Sequence, residues 1–229
     1  MARYSRLEVL NGIMDVGLVP VFYHGDFEVA SQVVAACAAG GLTVFEFTNR
    51  GDHAIEVFQA LERRLAKETP GMILGAGSIV DEGTAALYVA HGANFIVGPS
   101  FNDRVARLCN RRKIAYMPGC ATLTEIGTAE EAGVEIVKVF PCEAIGGPQF
   151  VKALLGPCPW TRVMATGISE ITPAGLGEWF KAGIVAAGIG RELLKKELLE
   201  KGDYAGITRR AAEIREWIRQ AQKRTPTAA

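Results

Sequence analysis

The chain has 229 residues, 25 Lys plus Arg against 25 Asp plus Glu, 49% hydrophobic and 22% charged residues. That length suits one domain of the larger single-core kind, and the composition excludes a disordered chain. A formal net charge of zero, with no basic stripe interleaved with aromatics, argues against nucleic acid and against an anionic membrane as partners. No apolar run reaches the roughly 18 residues that cross a bilayer.

The stretch from Met1 to Val21 carries acids and a glycine where a signal peptide would be apolar, so a cytoplasmic location is the expectation. From there, short runs of β-branched and aromatic residues alternate with helical patterns, the signature of βαβ units. A strand at Val19–Tyr23 precedes a helix over Phe27–Gly40, with Val29, Val33, Ala36 and Cys37 on one stripe. A strand at Val44–Thr48 precedes a helix over Ala54–Lys67, striped by Ile55, Phe58, Leu61 and Leu65. Strands follow at Ile73–Ser78, Phe95–Pro99 and Tyr116–Cys120. A helix over Thr124–Ala132 comes next, which Thr122 or Thr124 can cap. Strands at Ile136–Pro141 and Arg162–Gly167 lead to a helix start at Thr172-Pro173. The eighth strand is Val185–Gly190, and a charged helix over Tyr204–Gln222 buries Ile207, Ala211, Ile214 and Ile218. Each repeat takes roughly 20–28 residues, enough for a crossover helix. Eight such units predict a single (β/α)8 TIM barrel over residues 1–222, with N- and C-terminal helices and a frayed tail over 223–229. An open doubly wound sheet is the alternative, because a sequence counts strands without closing them.

Strand side chains alternate faces. In Ile136–Pro141, Val137 and Val139 share the face that suits the helix layer, which turns Lys138 inward. In Val44–Thr48, Phe45 and Phe47 face outward, which turns Glu46 and Thr48 inward, with Arg50 toward the top. A charge in so apolar a strand is costly unless paired or used. One reading is a structural Lys138–Glu46 ion pair. The other is a lysine nucleophile with a carboxylate that moves protons, since burial lowers a lysine pKa and frees its lone pair. Small residues close the strands: Gly75-Ala76-Gly77-Ser78, Gly98-Pro99-Ser100, Pro118-Gly119-Cys120, Phe140-Pro141-Cys142, Thr166-Gly167 and Gly188-Ile189-Gly190. They leave room at the face where barrel active sites sit. Gly75-Ala76-Gly77 is no dinucleotide fingerprint, because the third glycine is missing.

Together, Val19-Pro20-Val21, Phe45-Glu46-Phe47-Thr48-Asn49-Arg50, Gly75-Ala76-Gly77-Ser78, Gly98-Pro99, Pro118-Gly119 and Val137-Lys138-Val139-Phe140-Pro141 resemble the KDPG aldolase family, the 2-keto-3-deoxy-6-phosphogluconate and 4-hydroxy-2-oxoglutarate aldolases. The resemblance implies a class I aldolase acting on a 2-keto acid, with no cofactor. It implies Lys138 as the Schiff-base lysine, Glu46 as the proton-moving carboxylate and Arg50 as the group that holds the substrate carboxylate. Ser78 stands where the family has Thr, and the resemblance implies that Pro99, Phe140 and Thr166 line the pyruvyl pocket, with Thr48 as a further substrate-binding residue. The family's phosphate loops read Pro-Thr-Gly-Gly and Gly-Gly-Ser. Here they are Ala165-Thr166-Gly167-Ile168 and Ile189-Gly190-Arg191. Gly167, Ile168, Gly190 and Arg191 are thus the candidate phosphate-binding residues in rebuilt loops. A homotrimer is also implied, with Trp160, Trp179 and Trp217 as apolar surface or core candidates.

No metal site is expected, because His24, His53 and His91 are scattered without ligand spacing. Five widely spaced cysteines without CxxC read as buried small hydrophobes, Cys120 and Cys142 near the pocket included. Two rivals remain: another barrel enzyme on a phosphorylated substrate, and a non-catalytic relative that binds a keto acid or sugar phosphate.

Overall fold

In the computed structural model of the chain, which describes residues 2–224, short parallel strands alternate with helices throughout. The strands are β1 (Leu18–Phe22), β2 (Val44–Thr48), β3 (Ile73–Gly77), β4 (Phe95–Val97), β5 (Ala115–Met117), β6 (Gly119–Cys120), β7 (Val137–Val139), β8 (Val163–Thr166) and β9 (Ala186–Ile189). They pair in the order β5-β4-β3-β2-β1-β9-β8-β7-β6. The two ends of that order are successive pieces of one segment, so the sheet comes round on itself and the open-sheet alternative falls.

The fifth expected strand, Tyr116–Cys120, is therefore two. Pro118 lies between them and has no N–H for the ladder. The Gly98 N–H still donates to the Met117 carbonyl and the Gly119 N–H to the Gly98 carbonyl. On the other side the Lys138 N–H reaches the Pro118 carbonyl at 3.0 Å. Val44–Thr48 is β2 as expected, Val19–Tyr23 shifts by one residue, and the remaining expected strands are shortened at their ends. Ser78, Pro99, Pro141, Gly167 and Gly190 lie just past β3, β4, β7, β8 and β9, in the loops that rim one mouth of the barrel.

Local signals explain the helices. Ser5 and Glu8 form a capping box on α1 (Arg6–Val16), which ends at Gly17 with φ 65°. Asp26 caps α2 (Phe27–Ala39), and α3 spans Ala54–Glu68. Asp81 caps α4 (Glu82–Ala90), and Asn102 caps α5 (Asp103–Arg112). Of the two candidate caps for α6 (Leu123–Glu131), Thr122 is the one used, in a capping box with Glu125. After α7 (Gly147–Leu155), Thr172 caps α8 (Pro173–Lys181), whose first residue is the expected proline. A short α9 (Lys196–Glu200) precedes α10 (Tyr204–Arg224). The tail expected from Lys223 thus begins as helix, and residues 225–229 lie outside the described residues.

Helix α1 sits under the N-terminal ends of the strands. A side chain at its Gly12 would touch Ile73 and Val44, the lowest inward residues of β3 and β2. Among the described residues α1 covers that end, which leaves the C-terminal mouth, where sites of this fold sit. Inside, the inward positions are filled by unequal partners. Phe95 is fully buried and lies across Gly75, where a Cβ would collide with its ring. Outside the strands, Phe45 packs edge-on against Phe22, and Phe47 lies in a run of ring contacts from Tyr23 through Phe58 to Tyr88. Gly75→Ala overpacks the barrel against Phe95 and lowers stability by about 1–3 kcal/mol. A urea midpoint equal to that of the parent would contradict this packing.

Candidate active site

Lys138 lies at the centre of β7, between Val137 and Val139, which are fully buried on the helix side. Its side chain enters the barrel and is 7% exposed, and Glu46, at the centre of β2, is 2% exposed. The inward direction expected from strand parity is what both strands show. The structural ion-pair reading fails: among the described residues neither Lys138 nor Glu46 takes part in an ion pair within 4.0 Å. The Lys138 ammonium instead sits 4.9 Å from the centre of the Phe140 ring. Phe140 is 36% exposed and lies just beyond β7 at the mouth.

Burial acts on the two groups in opposite directions. It pushes the Lys138 pKa below the usual lysine range; the Glu46 charge opposes this and the Arg50 charge assists it. It pushes the Glu46 pKa above the usual carboxylate range, against the pull of Lys138 and Arg50. Both shifts favour the neutral forms, as expected in a poorly hydrated pocket. A neutral amine is a nucleophile, and a carboxyl whose pKa is raised is a stronger base that can take and return a proton. Gly77 makes the position of Glu46 possible, because a Cβ there would collide with Oε1.

On one side of the mouth, the Arg50 Nε donates to the Ser78 hydroxyl at 3.1 Å. Ser78 follows β3 with φ 59°, a left-handed conformation that turns its side chain toward the loop after β2. The remaining Arg50 donors face no partner among the described residues and can grip a carboxylate in two places. The Thr48 hydroxyl, inward on β2, donates to the Phe22 carbonyl at 3.3 Å, which leaves it able to accept. Pro99 is exposed at the end of β4, and its carbonyl is so near Gly119 that no Cβ fits between them.

On the other side, the Thr166 hydroxyl is buried without a partner, over Gly188, whose missing Cβ gives it room. A buried unsatisfied hydroxyl costs free energy unless something binds it. The loop beyond it departs from a simple anion cradle. Gly167 has φ 100°, Ile168 turns its side chain into the core, and Ser169 gives both its N–H (2.7 Å) and its hydroxyl (3.0 and 2.8 Å) to the Glu143 carboxylate. Gly190 is close to the Val21 carbonyl, and Arg191 is exposed just after it. Sequence reading missed Glu143. It lies in a loop two residues past Pro141, where neither parity nor helical spacing points to a partner. Cys120 and Cys142 are buried, as are Cys37 and Cys109, whereas Cys158 is only half-buried. Trp179 is core, Trp217 half-buried and Trp160 66% exposed.

The family model described as KDPG and KHG aldolase matches residues 9–210. The 2-dehydro-3-deoxy-phosphogluconate aldolase of Pseudomonas aeruginosa is 34% identical over 181 residues, which are 79% of this chain and 80% of that one. The KHG/KDPG aldolase of Escherichia coli K12 is 32% identical over 196 residues, 86% of this chain and 89% of that one. Among solved structures, the 2-keto-3-deoxy-6-phospho-gluconate aldolase of Zymomonas mobilis superposes with a TM-score of 0.79 at 27% identity, covering 90% of this chain and 96% of that one.

The charge relations around Lys138 have a sign that can be measured. Glu46→Gln removes the influence that holds the Lys138 pKa up, so the pH at which its amine reacts with an acylating reagent moves down. Arg50→Ala removes a like charge, so that pH moves up. Mass spectrometry of the Lys138 peptide across a pH series reads both, and movement in one common direction contradicts the account.

Proposed function

Since the chain belongs to the KDPG and KHG aldolase family, we propose that it is a class I aldolase, a carbon–carbon lyase. It cleaves an acid of the 2-keto-3-deoxy-6-phosphogluconate or 4-hydroxy-2-oxoglutarate type to pyruvate and an aldehyde. The observation that carries this reading is a buried lysine, free of any ion pair, sharing the barrel interior with a buried carboxyl.

The neutral Lys138 amine attacks the keto carbon, and loss of water from the carbinolamine gives a protonated imine. Glu46 supplies and removes the protons of these steps. It then takes the proton of the C4 hydroxyl. The C3–C4 bond breaks, its electron pair passes into the imine to form an enamine, and the aldehyde leaves. Protonation of the enamine at C3 and addition of water release pyruvate and regenerate the amine. An acid–base group so placed contributes typically about 10²–10⁴-fold. Arg50 holds the substrate carboxylate, backed by Ser78, while Thr48, Pro99, Phe140 and Thr166 line the pyruvyl half. Retention of Lys138, Glu46 and Arg50 in one pocket disfavours a relative that only binds.

The aldehyde half lies toward Gly167, Ile168, Gly190 and Arg191. A phosphorylated aldehyde would take Arg191 as its cation. A second reading, an unphosphorylated aldehyde, is favoured by Glu143, whose carboxylate already occupies the donors of Ser169. A homotrimer in the cytoplasm belongs to the same proposal. No described helix is long and apolar enough to cross a membrane, and exposed Leu7, Leu87, Leu123 and Trp160 offer apolar contact surface.

A panel of phosphorylated and unphosphorylated 2-keto-3-deoxy acids, assayed for pyruvate release, tests both halves. Lys138→Ala is expected to lose turnover on every member, and activity retained by it would overturn the mechanism. Arg191→Ser is expected to lower kcat/KM for phosphorylated acids selectively. An equal effect on both classes would favour the unphosphorylated reading.

A further inference from the structure

The loop that carries Arg50 is tied to a helix on the outer wall of the barrel, although nothing in the reaction requires that helix. Tyr88 lies on α4, is 1% exposed, and packs edge-on against Phe58 of α3 with ring centres 4.9 Å apart. Its hydroxyl emerges from this apolar layer at a single point, where it donates to the Asn49 Oδ1 at 3.0 Å. Asn49 is the residue before Arg50. Its N–H donates to the Gly77 carbonyl at 2.8 Å, and the Arg50 N–H donates to the Thr48 carbonyl at 3.0 Å. On the far side of Arg50, Gly51 lies so close to the Tyr23 hydroxyl that no Cβ fits. The segment is thus held at its backbone, at Asn49 from the helix layer, and at the Arg50 Nε by Ser78.

From this geometry we propose that Tyr88 and Asn49 are positioning residues for Arg50, fixing the direction in which its guanidinium meets the carboxylate of the keto acid. The inference rests on the reading of Arg50 as the carboxylate-holding group. A planar, two-pronged contact depends on angle, so a loop free to rotate by a few degrees weakens it. A purely packing role for Tyr88 needs only its ring. The hydroxyl is a polar group added to a mainly aromatic layer, and it is satisfied by a side chain of the site loop. Burial pushes its pKa up to about 12, with the nearby Tyr23 adding to the shift, so it remains a donor at any working pH.

The test uses pyruvate as the probe, with sodium borohydride to trap it on the full-length enzyme, and varies pyruvate to obtain a half-saturating concentration and a maximal trapping rate. Tyr88→Phe keeps the ring and removes the hydrogen bond. Asn49→Ala removes the acceptor at a half-buried loop position. Each is expected to raise the half-saturating pyruvate concentration by about three- to tenfold, the range of one lost hydrogen bond. The maximal trapping rate should stay within about twofold, because Lys138 and Glu46 are untouched. In an Arg50→Ala background neither substitution should weaken pyruvate further, since its effect passes through Arg50. A fall in maximal rate without loss of affinity overturns the proposal, and so does an effect that persists undiminished without Arg50. If Arg50→Ala itself leaves the half-saturating concentration unchanged, the assigned role of Arg50 fails, and this proposal with it.

Discussion

Everything at the mouth of this barrel follows from placing an amine and a carboxyl where water is scarce. In water Lys138 would be an ammonium, which is no nucleophile, and Glu46 a carboxylate too weakly basic to move protons well. Burial pulls both toward neutrality, while each charge restrains the shift of the other. The pair is also held apart: no contact within ion-pair distance joins them, and Lys138 rests over the Phe140 ring. A direct salt bridge would lock the amine in its protonated form, so separation inside one pocket keeps both groups available.

The space for this arrangement comes from residues without side chains. Gly77 stands beside Glu46, Gly75 beside Phe95, Gly188 beside Thr166 and Gly119 beside the Pro99 carbonyl. Each glycine is paired with a large or polar neighbour that fills its side of the barrel. Among the described residues α1 covers the base, and the strand ends meet at the upper mouth, where sites of this fold sit. Around that rim the two sides differ. On the Arg50–Ser78 side, the Arg50 donors other than Nε have no partner among the described residues. On the Thr166–Ser169 side, the Glu143 carboxylate takes the Ser169 donors and leaves the Thr166 hydroxyl.

Period-two alternation made the interior legible from the sequence. Val137 and Val139 around Lys138, and Phe45 and Phe47 around Glu46, leave one direction for each charge, and the fold keeps it. The helix caps were equally readable, because Thr172-Pro173 names its role locally; Thr122 and Thr124 were both eligible, and the reach back from Glu125 decides for Thr122. The break at Pro118 was present in the sequence but masked by the apolar residues around it. Strand ends were overcalled by one or two residues at Ser78, Pro99 and Gly190, since the small residues that end a strand in a barrel also extend an apolar run. Glu143 and the Tyr88–Asn49 contact were not legible. Each joins residues more than twenty positions apart through a loop side chain, brought together by the pairing of β2 with β3 in one case and of β7 with β8 in the other.

Of the chain's lysines, Lys138 alone is expected to form a covalent bond with the keto acid. Reduction of the enzyme by borohydride in the presence of isotopically labelled pyruvate, followed by peptide mapping, tests it in one step. Label is expected on the peptide containing Lys138 alone, with none when borohydride is omitted. Label spread over surface lysines, or stable label elsewhere with Lys138 unmodified, would contradict it.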